Sequence, residues 1–186
     1  MTAEEKYAVV LLIEQALSAA DAAQVRELHR ELDDDPTIEV DYHVLLPVVD
    51  AAAAVEASLG VIGGADLMAP PLTADPDEVD ELRQGYQKQA DSALAATVAA
   101  LEATGAHIGG AHAVHEAAVD ALEKLVKDVD GREAIILTRP HVVAEFFHVD
   151  WASSARRRLG VPVLHLLEHE SIAEQASGPG EGVTGI

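Results

Sequence analysis

Nine histidines and no cysteine frame the chemistry open to this 186-residue chain. Histidine is the side chain best suited to proton transfer near neutrality and to metal ligation. His112-Ala-Val-His115-Glu116 offers three potential ligands in one short run, and His165 and His169 fall on one face of an extended strand. Zinc needs three or four convergent ligands, and no HExxH pattern occurs, so neither grouping makes a metal site by itself. The absence of cysteine removes disulfides, thiolate zinc sites and cysteine nucleophiles. Gly63-Gly64 and Gly109-Gly110 match no phosphate cradle, and GxxxxGK[ST] is absent. The HxGH motif of adenylyltransferases, the SGGxDS loop of ATP pyrophosphatases and the GxSxG nucleophile elbow are missing as well. No reaction can be assigned on these residues, and the chain reads as a protein that binds rather than one that turns over.

The formal charge of −21 is the strongest bulk signal. It opposes nucleic acid and anionic membrane surfaces unless a separate basic patch exists. Arg156-Arg157-Arg158 is the only dense basic run. It reads either as a phosphate patch or as cations complementing the dipole at the end of a helix. Apolar residues make up 49% of the chain and aromatics 3%, so a core of Leu, Val, Ile and Ala is expected. Phe146, Phe147 and Trp151 supply half of the aromatics, as a pocket, a partner surface or ordinary packing of the last helix. Met1–Lys6 is acidic and Tyr7–Ile13 is too short to cross a bilayer, so a cytoplasmic location is expected.

The elements that would position these residues alternate between strand and helix, which argues for βα units and a parallel sheet. Tyr7–Ile13 is a continuous apolar run, as in a strand covered on both faces. Ser18–Leu32 predicts one helix with Val25, Leu28 and Leu32 inward. Ile38–Leu46 alternates apolar and polar residues, implying a second strand with one face partly exposed. Pro47–Ala74 is irregular and reads as an insertion or lid. Asp75-Pro76 starts a long helix whose stripe is Val79, Leu82, Tyr86, Ala90, Ala93, Val98 and Leu101, and Gly105 closes it. A third strand over Ala106–Val114, a helix over His115–Val129 and a fourth strand over Glu133–Thr138 follow. Then come a loop over Arg139–Val149, a helix from Asp150 to Leu159 and a fifth strand over Val161–Leu167. The expected domain is 1–170, with 171–186 a disordered tail. Right-handed crossovers turn this pattern into a three-layer doubly wound α/β sandwich.

The apolar first strand ending in Glu14, the long insertion and helix after the second strand, and the closing Gly160-Val161-Pro162-Val163-Leu164 resemble the universal stress proteins. The resemblance spans about Lys6–Glu168. It implies a five-stranded parallel sheet of order 3-2-1-4-5, with ligands bound at the carboxyl ends of strands one and four. Glu14 would stand where nucleotide-binding members carry an Asp, and Thr138, Arg139 and His141 would face it. An adenine nucleotide, ATP or AMP, is the ligand so implied. The family's phosphate loop, G-x2-G-x9-G-[ST], is not preserved: Thr138–Asp150 contains no glycine, and Val149-Asp150 stands in place of the terminal Gly-Ser pair. The residues have other uses too. Glu14 suits a helix cap, Arg139 suits a salt bridge, and His141 suits a solvated loop. The resemblance further implies a homodimer paired through the edge strand Val161–Leu167. An interaction module without nucleotide and an enzyme with the insertion as lid are the alternatives.

Overall fold

The computed structural model describes residues 5–48, 76–138 and 157–167. In chain order these form β1 (Glu5–Ile13), α1 (Ala19–Leu28), α2 (Arg30–Asp33), β2 (Ile38–Pro47), α3 (Pro76–Ala103), β3 (His107–Val114), α4 (Ala118–Asp128), β4 (Glu133–Thr138) and β5 (Val163–Leu167). The insertion expected after β2, the loop and most of the helix expected after β4, and the tail lie outside the described residues.

All four strand pairings are parallel, and the sheet order is β3-β2-β1-β4-β5. The parallel α/β sheet is what the element order implies, and its strand order is the one the family resemblance implies. β1 is central and fully buried from Ala8 to Ile13. Its odd-numbered side chains, Val9, Leu11 and Ile13, join Val40, Tyr42, Val44, Ile135 and Leu137 beneath α1 and α3. Its even-numbered Val10 and Leu12 join Ala134 and Ile136 beneath Ala121, Leu122 and Val126 of α4. Two cores on opposite faces are what a continuous apolar strand requires.

Four differences from the sequence reading have physical causes. The helix expected over Ser18–Leu32 begins as anticipated, with Ser18 and Asp21 closing a capping box, but it breaks at His29. There the imidazole turns inward: Nε2 lies 3.1 Å from Glu133 Oε1, and Nδ1 lies 2.9 Å from the Tyr42 hydroxyl. Tyr7 donates to the other Glu133 oxygen at 3.1 Å. This buried network ties the α1–α2 break to three strands. The stripe on α3 is also rotated, burying Leu94 and Thr97 and leaving Leu82 exposed. Thr97 Oγ1 accepts the Leu17 amide at 3.0 Å, so a polar residue of the stripe holds the β1–α1 loop. β5 starts at Val163, two residues later than expected. Pro162 has no N–H to give a ladder, and its carbonyl accepts from Ala134 instead.

The fourth difference concerns β2. Its alternation does not mark a partly exposed face, because Asp41 and His43 are both buried. Asp41 receives His107 Nδ1 at 3.0 Å and Lys6 Nζ at 3.5 Å, with His43 Nε2 3.6 Å away. A register shift opposite Tyr42 and His43 leaves Gly109 as the extra residue of a bulge in β3. A Cβ on Gly109 would fall 2.4 Å from Asp41 Oδ1, so the side chains of β2 occupy the room this glycine leaves. The Gly109-Gly110 pair is a packing device for a buried polar cluster.

Candidate functional site

In a doubly wound sheet the carboxyl ends of the strands form the natural crevice, since strand order reverses there and loops diverge. Ile13 pairs with Leu137, so Glu14 and Thr138 follow on neighbouring chains at the same end. The adjacent β1–β2 pairing runs to Leu12 and Leu45, which brings Leu46, Pro47 and Val48 alongside.

A cavity of about 620 Å³ opens at this end. Its floor is Glu14, Gln15 and Ala16 after β1 and Leu46, Pro47 and Val48 at the end of β2. Its wall is one face of α3, comprising Tyr86, Gln89, Ala90, Ser92, Ala93 and Ala96. The small side chains of that face open the space between helix and sheet. The size suits a drug-sized or nucleoside-sized ligand. The chemistry is an apolar bed with a carboxylate, two carboxamides and two hydroxyls at its margins. Such a bed can hold a flat apolar body and accept hydrogen bonds from its hydroxyl or amine groups.

The residues singled out in the sequence are divided by the structure. Glu14 lies at the cavity, half-exposed. Thr138 is buried, and its hydroxyl is 2.8 Å from His165 Nε2 of β5. Burial pushes the His165 imidazole below the ordinary histidine value, so the neutral ring shares this hydrogen bond. Arg139 and His141 lie outside the described residues. Arg158, from the basic run, engages α4 through Asp120 at 2.7 Å and Glu123 at 2.7 Å. Among the described residues no group of three histidine, aspartate or glutamate side chains could hold a metal ion. No helix among them is long and apolar enough to cross a membrane.

Sequence reasoning missed the α3 wall. The signal was there: Ala90, Ala93 and Ala96 recur at three-residue spacing on one helical face, with Tyr86 and Gln89 one turn earlier. It read as core because small apolar residues at that spacing ordinarily pack tightly.

Comparison with known proteins was made on both sequence and structure. No family model and no curated protein sequence matches the chain. Solved structures do. An Arabidopsis thaliana protein crystallised with AMP bound shares 12% identity, with 87% of this chain and 92% of that one covered at a TM-score of 0.49. An Archaeoglobus fulgidus protein shares 14%, covering 86% and 93% at 0.43. A third, in complex with cAMP, shares 15%, covering 86% and 97% at 0.46. All three are universal stress proteins.

Proposed function

We propose that this chain is a cytoplasmic protein of universal stress type that binds a small ligand at the carboxyl ends of the central strands β1, β2 and β4 and acts through binding rather than turnover. The cavity between Glu14 and the Ala90–Ala93–Ala96 face of α3 carries this reading. An adenine nucleotide, ATP or AMP, is the candidate ligand, held by Glu14 with Thr138, Arg139 and His141. Glu14 suits a ribose hydroxyl, because a carboxylate accepts from two vicinal donors. AMP and cyclic AMP, bound by two of the neighbours, are the first probes together with ATP.

The test is isothermal titration with these three ligands, repeated on two variants. Ala96 lines the cavity from an exposed position, so Ala96→Trp fills it without disturbing the core. We expect this substitution to abolish binding while the melting temperature is unchanged. Glu14→Gln removes a charge-assisted hydrogen bond and is expected to weaken binding about tenfold or more. Equal affinity in Ala96→Trp and the unsubstituted protein would refute the site.

A homodimeric interaction module paired through Val161–Leu167 is a second reading. Leu164 favours it, being 37% exposed on β5, the last strand of the five. We expect a dimer by light scattering at micromolar concentration and a monomer for Leu164→Lys. A monomer before substitution would dismiss this reading.

A further inference from the structure

The polar cluster between β2 and β3 lies away from the ligand cavity, on the sheet face that carries α4, and neither reading of the function uses it. It gathers six ionisable side chains from three strands: Lys6 of β1, Glu39 and Asp41 of β2 with His43, and His107 and His112 of β3. Asp41 sits at its centre, buried, with Lys6 at 3.5 Å, His107 at 3.0 Å and His43 at 3.6 Å. His107 is also 3.8 Å from Glu39. His43 Nδ1 and His112 Nε2 lie 3.4 Å and 2.8 Å from where a Gly110 Cβ would be. The two imidazoles thus share the space beside that glycine, and His43 is buried.

A charge on the buried His43 ring is opposed by its burial and by His112 and Lys6 beside it, with Asp41 acting against them. β3 is where this strain falls. It is hydrogen-bonded to β2 along one edge, stands at the end of the sheet order, carries the bulge at Gly109, and has exposed residues along its length. β1, β2 and β4 are bonded on both sides.

We propose that β3 is an acid-released edge strand, held to β2 at neutral pH by the Asp41-centred cluster and loosened from it when the buried His43 between the two strands gains charge.

The sign follows from His43. Burial pushes its imidazole below the ordinary value of 6.5, with His112 and Lys6 acting the same way against Asp41. Folding thus favours the neutral ring, and the opened or unfolded chain binds more protons once pH falls below 6.5. The stability that the neutral ring confers is complete above that value. It is lost progressively below it, until the folded form also titrates. Parting β3 from β2 relieves the penalty locally by giving His43 to water.

Amide hydrogen exchange tests this, with rates corrected for their intrinsic pH dependence. Between about pH 7.5 and about pH 5, which bracket histidine titration, protection in β3 is expected to fall severalfold or more as the open form takes up the proton that burial denies His43. Protection in β4 is expected to hold. His112→Gln keeps a hydrogen-bonding side chain, removes one charge and alters an exposed position, so it reports even if a buried substitution fails to fold. It is expected to reduce the fall in β3, and His43→Gln combined with it to remove the fall. Constant β3 protection across the range would overturn the proposal, as would an equal fall in β4 or an undiminished fall in His112→Gln.

Discussion

Replacing His29 by alanine is expected to lower the unfolding free energy by about 3 kcal/mol, within the range for leaving a buried carboxylate without its partner. The ring is 3% exposed and joins two groups that need it. Among the described residues Glu133 would keep the Tyr7 hydroxyl at 3.1 Å, and the fully buried Tyr42 would lose its imidazole partner. The estimate sits at the lower end because the Glu133 side chain is 21% exposed and water can partly replace the lost bond. The pH dependence gives a second signature. Burial alone pushes the Glu133 carboxyl up, but the hydrogen bonds and charge of His29, helped by Tyr7, outweigh it and leave it below its ordinary 4.5. Its contribution is therefore complete above pH 4.5 and is lost as pH falls through the lower folded value. Urea titrations of the unsubstituted protein and His29→Ala should converge in acid as that contribution disappears. A difference below about 0.5 kcal/mol at neutral pH, the level of an ordinary surface change, would show that the network is ornamental.

Gly109→Ala should destabilise by about 2 kcal/mol, although removing a glycine from a strand ordinarily helps by about 0.5–1 kcal/mol. The added Cβ would lie 2.4 Å from Asp41 Oδ1, 2.5 Å from His43 Cε1 and 2.6 Å from His43 Nε2. Those atoms end short side chains, yet they cannot swing away without breaking the cluster around Asp41 or pulling β3 off β2. Gly85 provides the control, since it lies in α3 with nothing within 4 Å of its would-be Cβ. Gly85→Ala should stabilise by about 1 kcal/mol, the helix-propensity difference. The two alanine substitutions should thus differ in sign in thermal denaturation. The same sign for both would mean that the bulge relaxes freely and that the cluster is not tightly held.

The order of elements was legible because each central strand is short, apolar and bounded by turn residues, whereas the strand order was what the resemblance to universal stress proteins implied. Tyr7–Ile13 and Glu133–Thr138 are continuous enough to require cover on both faces, and a parallel sheet with crossovers is the arrangement that provides it. The start of α1 near Ser18 and Gly105 as a stop for α3 could also be read locally, because helix ends depend on neighbours a few residues away. That Glu14 follows the first strand could be read in the same way, while its place at a ligand crevice was what the resemblance implied.

What the chain could not disclose by itself depends on contacts far apart in sequence. The break at His29 is set by Glu133, 104 residues away, and the burial of Asp41 by His107, 66 residues away. Periodicity reports which side chains share a face, but not whether a polar face finds partners, so β2 looked half-exposed while its aspartate and histidine were enclosed. The cavity wall followed the same rule. A row of alanines is equally a tight contact or a groove, and only the distance at which α3 rests on the sheet chooses between them.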